Sequence, residues 1–178
     1  MTEWYMNNSQ EIFYNVLRII RGTTVDGPGL RTSIYLAGCI HHCPGCHNPQ
    51  SWDPQAGDEL SLKEILRIVN EEDFDVTLTG GDPLLNPETT AILIRSLKEN
   101  RRNVWVYTGY TWEDITNSPK LLNAIREADI LVDGPFIEAQ KNPDLPFRGS
   151  SNQRIIDIQA SLKSGVISLF HYPFPDQD

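Results

Sequence analysis

Three cysteines, Cys39, Cys43 and Cys46, fall within eight residues of one another, and the chain has no others. An odd number confined to one short stretch is a poor disulfide framework, so the cluster must have a local purpose. The pattern is Cys-x3-Cys-x2-Cys. Pro44 and Gly45 disfavour a regular helix between the last two thiols, so the segment reads as a loop wrapped around something. Three converging thiolates repel one another unless a cation neutralises them. Structural zinc takes four protein ligands and would have to recruit His41, His42 or His47. A cubane [4Fe–4S] cluster held by three cysteines leaves one iron without a protein ligand. An open metal position is where chemistry takes place. Structural zinc usually draws on two ligand pairs from separate segments. Here there is a single knuckle, which favours the cluster, with a zinc-knuckle binding module as the alternative from another class.

The elements that must position this loop read as alternating strands and helices. Residues 13–20 and 31–37 read as strands, with Asp-Gly-Pro-Gly turn chemistry at 26–29 between them. Ser61 followed by Glu64 is a capping box that opens a helix with Leu62, Ile65, Leu66 and Val69 on one face. Residues 74–79 form the next strand. Asn86 then caps a helix with Pro87 at its first position, closing near Asn100. Strands at 103–107 and 130–132, a helix at 121–127, and further strands at 154–158 and 166–170 complete the reading. This order predicts an α/β fold, an incomplete β/α barrel with a largely parallel sheet. In such sheets ligands bind at the carboxyl ends of strands. Four unusual loops sit there, at 38–50, 80–84, 108–110 and 133–135, and imply one composite site.

At 178 residues the chain is long enough for one domain. Residues 1–11 read as a loosely ordered leader, 12–160 as the domain and 161–178 as a C-terminal extension. Apolar residues at 39% and charged residues at 22% rule out wholesale disorder. The net charge of −9 disfavours binding to nucleic-acid phosphates. No apolar run approaches the roughly 20 residues of a membrane helix. The polar start carries no secretory signal, so the expectation is a cytoplasmic protein.

Cys-x3-Cys-x2-Cys resembles the signature of the radical S-adenosylmethionine enzymes. Val25-Asp26-Gly27-Pro28-Gly29-Leu30-Arg31 is similar to the opening of glycyl-radical-enzyme activases. The run 38–48 around the cysteines, Thr79-Gly80-Gly81-Asp82-Pro83-Leu84, residues 105–110, Leu131-Val132-Asp133-Gly134 and residues 147–154 resemble one subfamily, the activators of anaerobic (class III) ribonucleoside-triphosphate reductase. The likeness runs from about Val16 to about Ile158.

The resemblance implies a radical S-adenosylmethionine fold with one [4Fe–4S] cluster per chain, ligated by Cys39, Cys43 and Cys46. It implies S-adenosyl-L-methionine chelated to the open iron and cleaved to a 5′-deoxyadenosyl radical. That radical would take a hydrogen from a glycine of the partner reductase. Gly80 and Gly81 would let the backbone approach the methionine moiety, where a Cβ would obstruct it. Gly45, Cys46 and His47 would line the adenine side. Thr108 would contact the ribose or carboxylate, with a plain turn as the equal alternative. Asp133 stands where related activases place a carboxylate for a cation or substrate, and Asp26 near the incoming glycine or in a local turn. Residues 148–154 would close the site or meet the reductase, while His41 and His42 read as loop surface. A low-potential donor such as flavodoxin is implied. Activation of another glycyl-radical enzyme, of the pyruvate formate-lyase type, is the alternative within the same chemistry. The chain has too few βα units for a full eight-fold barrel, which favours the reductase activator.

Overall fold

The computed structural model describes residues 11–172; the expected leader lies almost wholly outside them. The chain opens with β1 (Phe13–Thr23), β2 (Arg31–Leu36), β3 (Asp58–Ser61) and α1 (Leu62–Asn70). Then come β4 (Asp75–Gly80), α2 (Pro87–Glu99), β5 (Val104–Tyr107), α3 (Trp112–Thr116) and α4 (Pro119–Ile125). The chain ends with β6 (Ile130–Asp133), β7 (Arg154–Asp157) and α5 (Ile158–Ser164). All seven strands form one sheet in the order β3-β1-β2-β4-β5-β6-β7. The middle strands β2, β4, β5 and β6 are parallel, joined by helical crossovers. The flanks β3-β1-β2 and β6-β7 are antiparallel. Among the described residues the sheet runs from β3 at one edge to β7 at the other and does not close, as expected of an incomplete barrel.

Strand alternation sorts the side chains into two layers. Ile34, Leu36, Val76, Leu78, Val104, Val106 and Leu131 face the helices and join Ile65, Val69, Leu93, Leu97 and Ile125 in the main core. Trp105, Ile130, Val132 and Ile155 face the other way, against Tyr107, Phe147 and Phe170. Edge-on ring contacts of Trp105 with Phe147 and Phe170, at 5.7 and 5.4 Å, tie this second layer together.

The α1 capping box forms as read: Glu64 N donates to Ser61 Oγ and Ser61 N to Glu64 Oε2. Asn86 makes no side-chain cap; Pro87 alone starts α2, because Asn86 sits at φ −121°, ψ 76°. The expected helix at 121–127 begins earlier, as α4, and is preceded by α3, which has its own box from Thr111 and Asp114. Residues 166–170 make only one bridge, Leu169 to Ile156, rather than a strand. Besides α3, two further elements escaped the sequence reading. β3 is four residues long and mostly polar, and it exists through pairing with β1. α5 is capped by Asp157 and ends at Gly165, whose φ is 74°; it spans the boundary drawn at residue 160. No described helix is long and apolar enough to cross a membrane.

Candidate functional site

The parallel register pairs Leu36 with Gly80, so the cysteine loop leaves β2 beside the turn that leaves β4. Short backbone bonds lock the two together. Gly81 N donates to Leu36 O (2.7 Å), Asp82 N to Gly38 O (2.7 Å) and Gly38 N to Ser51 O (2.7 Å). Thr108 follows β5 and Asp133 ends β6, so the four loops named from sequence do share one rim.

Cys39, Cys43 and Cys46 are half-buried free thiols. Burial pushes the Cys39 thiol above its usual range. The backbone N–H groups of His41 and His42 pull it back, and the Asp82 carboxylate adds to the rise. Asn48 N donates to Cys46 Sγ at 3.4 Å. N–H groups aimed at two of the three sulfurs suit thiolates bound to a cluster, whose charge such bonds stabilise. Among the described residues, no three His, Cys, Asp or Glu side chains gather as ligands of one ion would. Thiolates that each bind a different iron of a cubane need not converge on a point. Three half-buried free thiols in one loop, with a backbone N–H at Cys46 Sγ, fit a three-thiolate cluster.

Gly80 and Gly81 are packed differently from the sequence expectation. Gly80 has φ 109°, and a Cβ there would strike the backbone of Leu36. A Cβ on Gly81 would strike Gly38 O and approach Ser51 O at 2.8 Å. Gly80 O accepts from Asn48 Nδ2 and Ser51 Oγ, both at 3.2 Å. The glycines thus let the cysteine loop close onto β4, and Gly80 O and Gly81 N are spent inside the fold. Gly45 and His47 lie exposed at the outer end of the loop. A Cβ on Gly45 would come within 2.9 Å of the Glu138 carboxyl group, from the segment between β6 and β7.

Sequence reasoning passed over Asp82, which is 2% exposed. Its carboxylate accepts from Thr108 Oγ1 (3.0 and 2.9 Å), Gly109 N (3.0 Å) and Leu84 N (2.8 Å). Thr108 is buried, and its hydroxyl also accepts from Tyr110 N. The Thr108 hydroxyl therefore serves Asp82 first. His41 is not loop surface: its Nε2 lies 2.8 Å from Asp82 Oδ2. The ring N–H is not aligned for a hydrogen bond, so the imidazole is held there by packing against the carboxylate and its neighbours. His42 is exposed but its ring lies 4.7 Å from that of Trp52. The turn run Gly-Gly-Asp-Pro was the available signal for Asp82. Nothing local could announce His41, whose partner is 41 residues away.

Asp133 is 1% exposed and fully occupied. It accepts from Trp112 N (2.7 Å), Arg154 N (3.1 Å) and Arg154 Nε (3.1 Å). Arg154 also forks onto Glu113 at 3.0 and 2.7 Å. Asp133 is thus an anchor for β7 and α3, with its charge already matched. Asp26 accepts from Tyr35 Oη (2.7 Å) instead of making a local turn with its own backbone. Residues 147–154 fold on themselves: Arg148 Nη1 donates to Gln153 O, and Gln153 Oε1 accepts from Gly149 N. Tyr107 Oη reaches across to Phe147 O at 2.7 Å. A cavity of about 400 Å³ opens on the same rim, bordered by Thr111, Glu113, Asp133, Asn152 and Arg154.

A family model described as a 4Fe-4S single cluster domain matches residues 25–156, which contain all three cysteines and the strand-end loops. The class is therefore a single-cluster iron–sulfur protein, and the zinc alternative falls away. The chain is 33% identical over 151 residues to the anaerobic ribonucleoside-triphosphate reductase-activating protein of Haemophilus influenzae, covering 79% of this chain and 96% of that one. The Escherichia coli K12 protein of the same name is 31% identical over 72% of this chain and 89% of its own. That of Enterobacteria phage T4 is 32% identical over 79% and 92%. The chain belongs to the family of these reductase-activating proteins. Among solved structures, QueE from Escherichia coli gives a partial likeness, with a TM-score of 0.47 and 19% identity over 56% of this chain and 53% of that one.

Proposed function

We propose that the protein activates an anaerobic ribonucleoside-triphosphate reductase by generating a glycyl radical on it. The observation that carries this reading is the three-cysteine loop, two of its sulfurs faced by backbone N–H groups and its ends tied to the rim of a parallel sheet. A cluster held by Cys39, Cys43 and Cys46 would supply the one-electron reduction of bound S-adenosylmethionine that such an activation needs.

Cys39, Cys43 and Cys46 hold three irons in this reading. Gly45, Cys46 and His47, at the outer end of the loop, lie toward the adenine of S-adenosylmethionine. Gly80 and Gly81 keep the cysteine loop closed against β4 and would so hold it beside the methionine moiety. Thr108 contributes by fixing Asp82. The second layer of aromatic side chains packs over part of one face of the sheet. The protein substrate is the reductase, and a flavodoxin-type donor supplies the electron.

The test is electron-paramagnetic resonance on anaerobically reconstituted protein with S-adenosylmethionine, a low-potential reductant and purified reductase. A glycyl-radical doublet that appears only with all components, with 5′-deoxyadenosine released, is the expected result. An iron-loaded protein that produces no doublet on the reductase would overturn the assignment.

A further inference from the structure

The cysteine loop is fastened to the fold by different means along its length. At its start, Gly38 N and Cys39 N donate to Ser51 O and Trp52 O, at 2.7 and 3.2 Å. At its end, the buried Asn48 holds both Gly80 O and Cys46 Sγ. Cys43 lies between these anchors, and its own segment reaches the fold through two histidine rings. His42 packs on Trp52. His41 points the other way, to Asp82, and stands edge-on to Tyr110 with ring centroids 4.7 Å apart. A left-handed φ of 45° at His42 turns the chain between them.

The His41 slot is built for that ring. Asp82 is immobile, held by Leu84 N, Thr108 Oγ1 and Gly109 N before the imidazole arrives. Gly109 forms one wall, and a Cβ there would run into the His41 ring, 2.8 Å from Nε2. Tyr110 forms another. A surface histidine has no need of a glycine and a buried carboxylate from two other strand ends.

We propose that His41 is a positioning residue that latches the arc from Cys39 to Cys43 in its ligating shape before iron and sulfide bind. It acts through Asp82 and is not itself a ligand. The latch pre-organises three thiols that would otherwise have to be ordered by the cluster. The inference rests on the assignment of the three cysteines as iron ligands.

The test compares the parent chain with His41→Ala and His41→Gln; the glutamine keeps a planar polar group of similar reach between Asp82 and Gly109. Two quantities are read: the alkylation rate of Cys43 relative to Cys39 in the cluster-free protein, and the rate of iron loss to a chelator after reconstitution. His41→Ala is expected to lose iron about tenfold faster, the lower end of the scale on which lost outer support weakens metal sites, and to expose Cys43 to alkylation. His41→Gln is expected to return both toward the parent. Parental behaviour of His41→Ala in both assays overturns the latch, as does a glutamine variant no better than alanine. Should His41→Ala not fold, Thr108→Val loosens Asp82 at nearly constant shape; faster iron loss supports the latch and parental loss overturns it. Failure of the ligand assignment has a different signature, since the parent protein itself would then hold no cluster.

Discussion

Asp82 and Asp133 stand at the ends of two parallel strands, on one rim, and both are almost fully buried. Their surroundings differ. Asp133 faces a guanidinium that it shares with Glu113, so its charge is offset by an ion within the fold. Asp82 faces dipoles, two backbone N–H groups and a hydroxyl, with a histidine of the cysteine loop as its one ring neighbour. The first arrangement is closed on itself and anchors β7. The second is open toward the cysteine loop, so disturbance there should reach the cluster. Two carboxylates that look alike in the sequence are thereby assigned different work.

The sharpest way to break this contrast is to remove the cation. Arg154→Ala leaves Asp133 buried without its counter-charge and should cost about 3 kcal/mol of stability in a denaturant titration. Iron retention per folded molecule should stay at the parent level, and a large loss would show that the two carboxylates are not separate systems. Gly81→Ala attacks the other side. Its Cβ meets the backbone of the cysteine loop rather than open space, so about 2 kcal/mol of stability should go, the usual scale of overpacking. Here iron content should fall as well; unchanged iron would restore the view that this glycine serves only a bound ligand. Thr108→Val removes one donor from the Asp82 carboxylate and should cost about 1.5 kcal/mol by thermal or chemical unfolding.

The smallest effect is electrostatic. The fork from Arg154 holds the Glu113 carboxyl down at about 2, from an ordinary 4.5. Above about pH 4.5 the group is charged whether folded or not, and its pairing counts in full. As the pH falls toward 2 the unfolded chain binds the proton first, and the contribution is lost. Glu113 is more than half exposed, so solvent weakens the pairing. The stability gap between Glu113→Gln and its parent should close across that window, as followed by unfolding midpoints. A gap independent of pH would place the contribution elsewhere.

Much of this arrangement was legible in the sequence because its signals are local. The cysteine spacing, the Ser61–Glu64 box and the Gly-Gly-Asp-Pro turn each lie within a few residues. So do the strands that feed the rim, whose β-branched runs survive as β2, β4, β5 and β6. What stayed hidden is carried by distant pairs. His41 meets Asp82, Arg154 meets Asp133, and β3 takes its form from β1. No window of sequence contains both members of such a pair. The Thr111–Asp114 box was readable, but α3 is five residues long and carries too little periodicity to draw attention.

Among the described residues the sheet has two borders, and each carries features that oppose pairing with a neighbouring molecule. At one, β3 is only four residues long and leads with Asp58 and Glu59, charges that oppose stacking of a like strand. At the other, Leu169 bridges Ile156, and Phe170 N donates to Ile155 O, so part of the border is already taken. An unclosed sheet protected in this way resists polymerising edge to edge without the extra strands a complete cylinder would require.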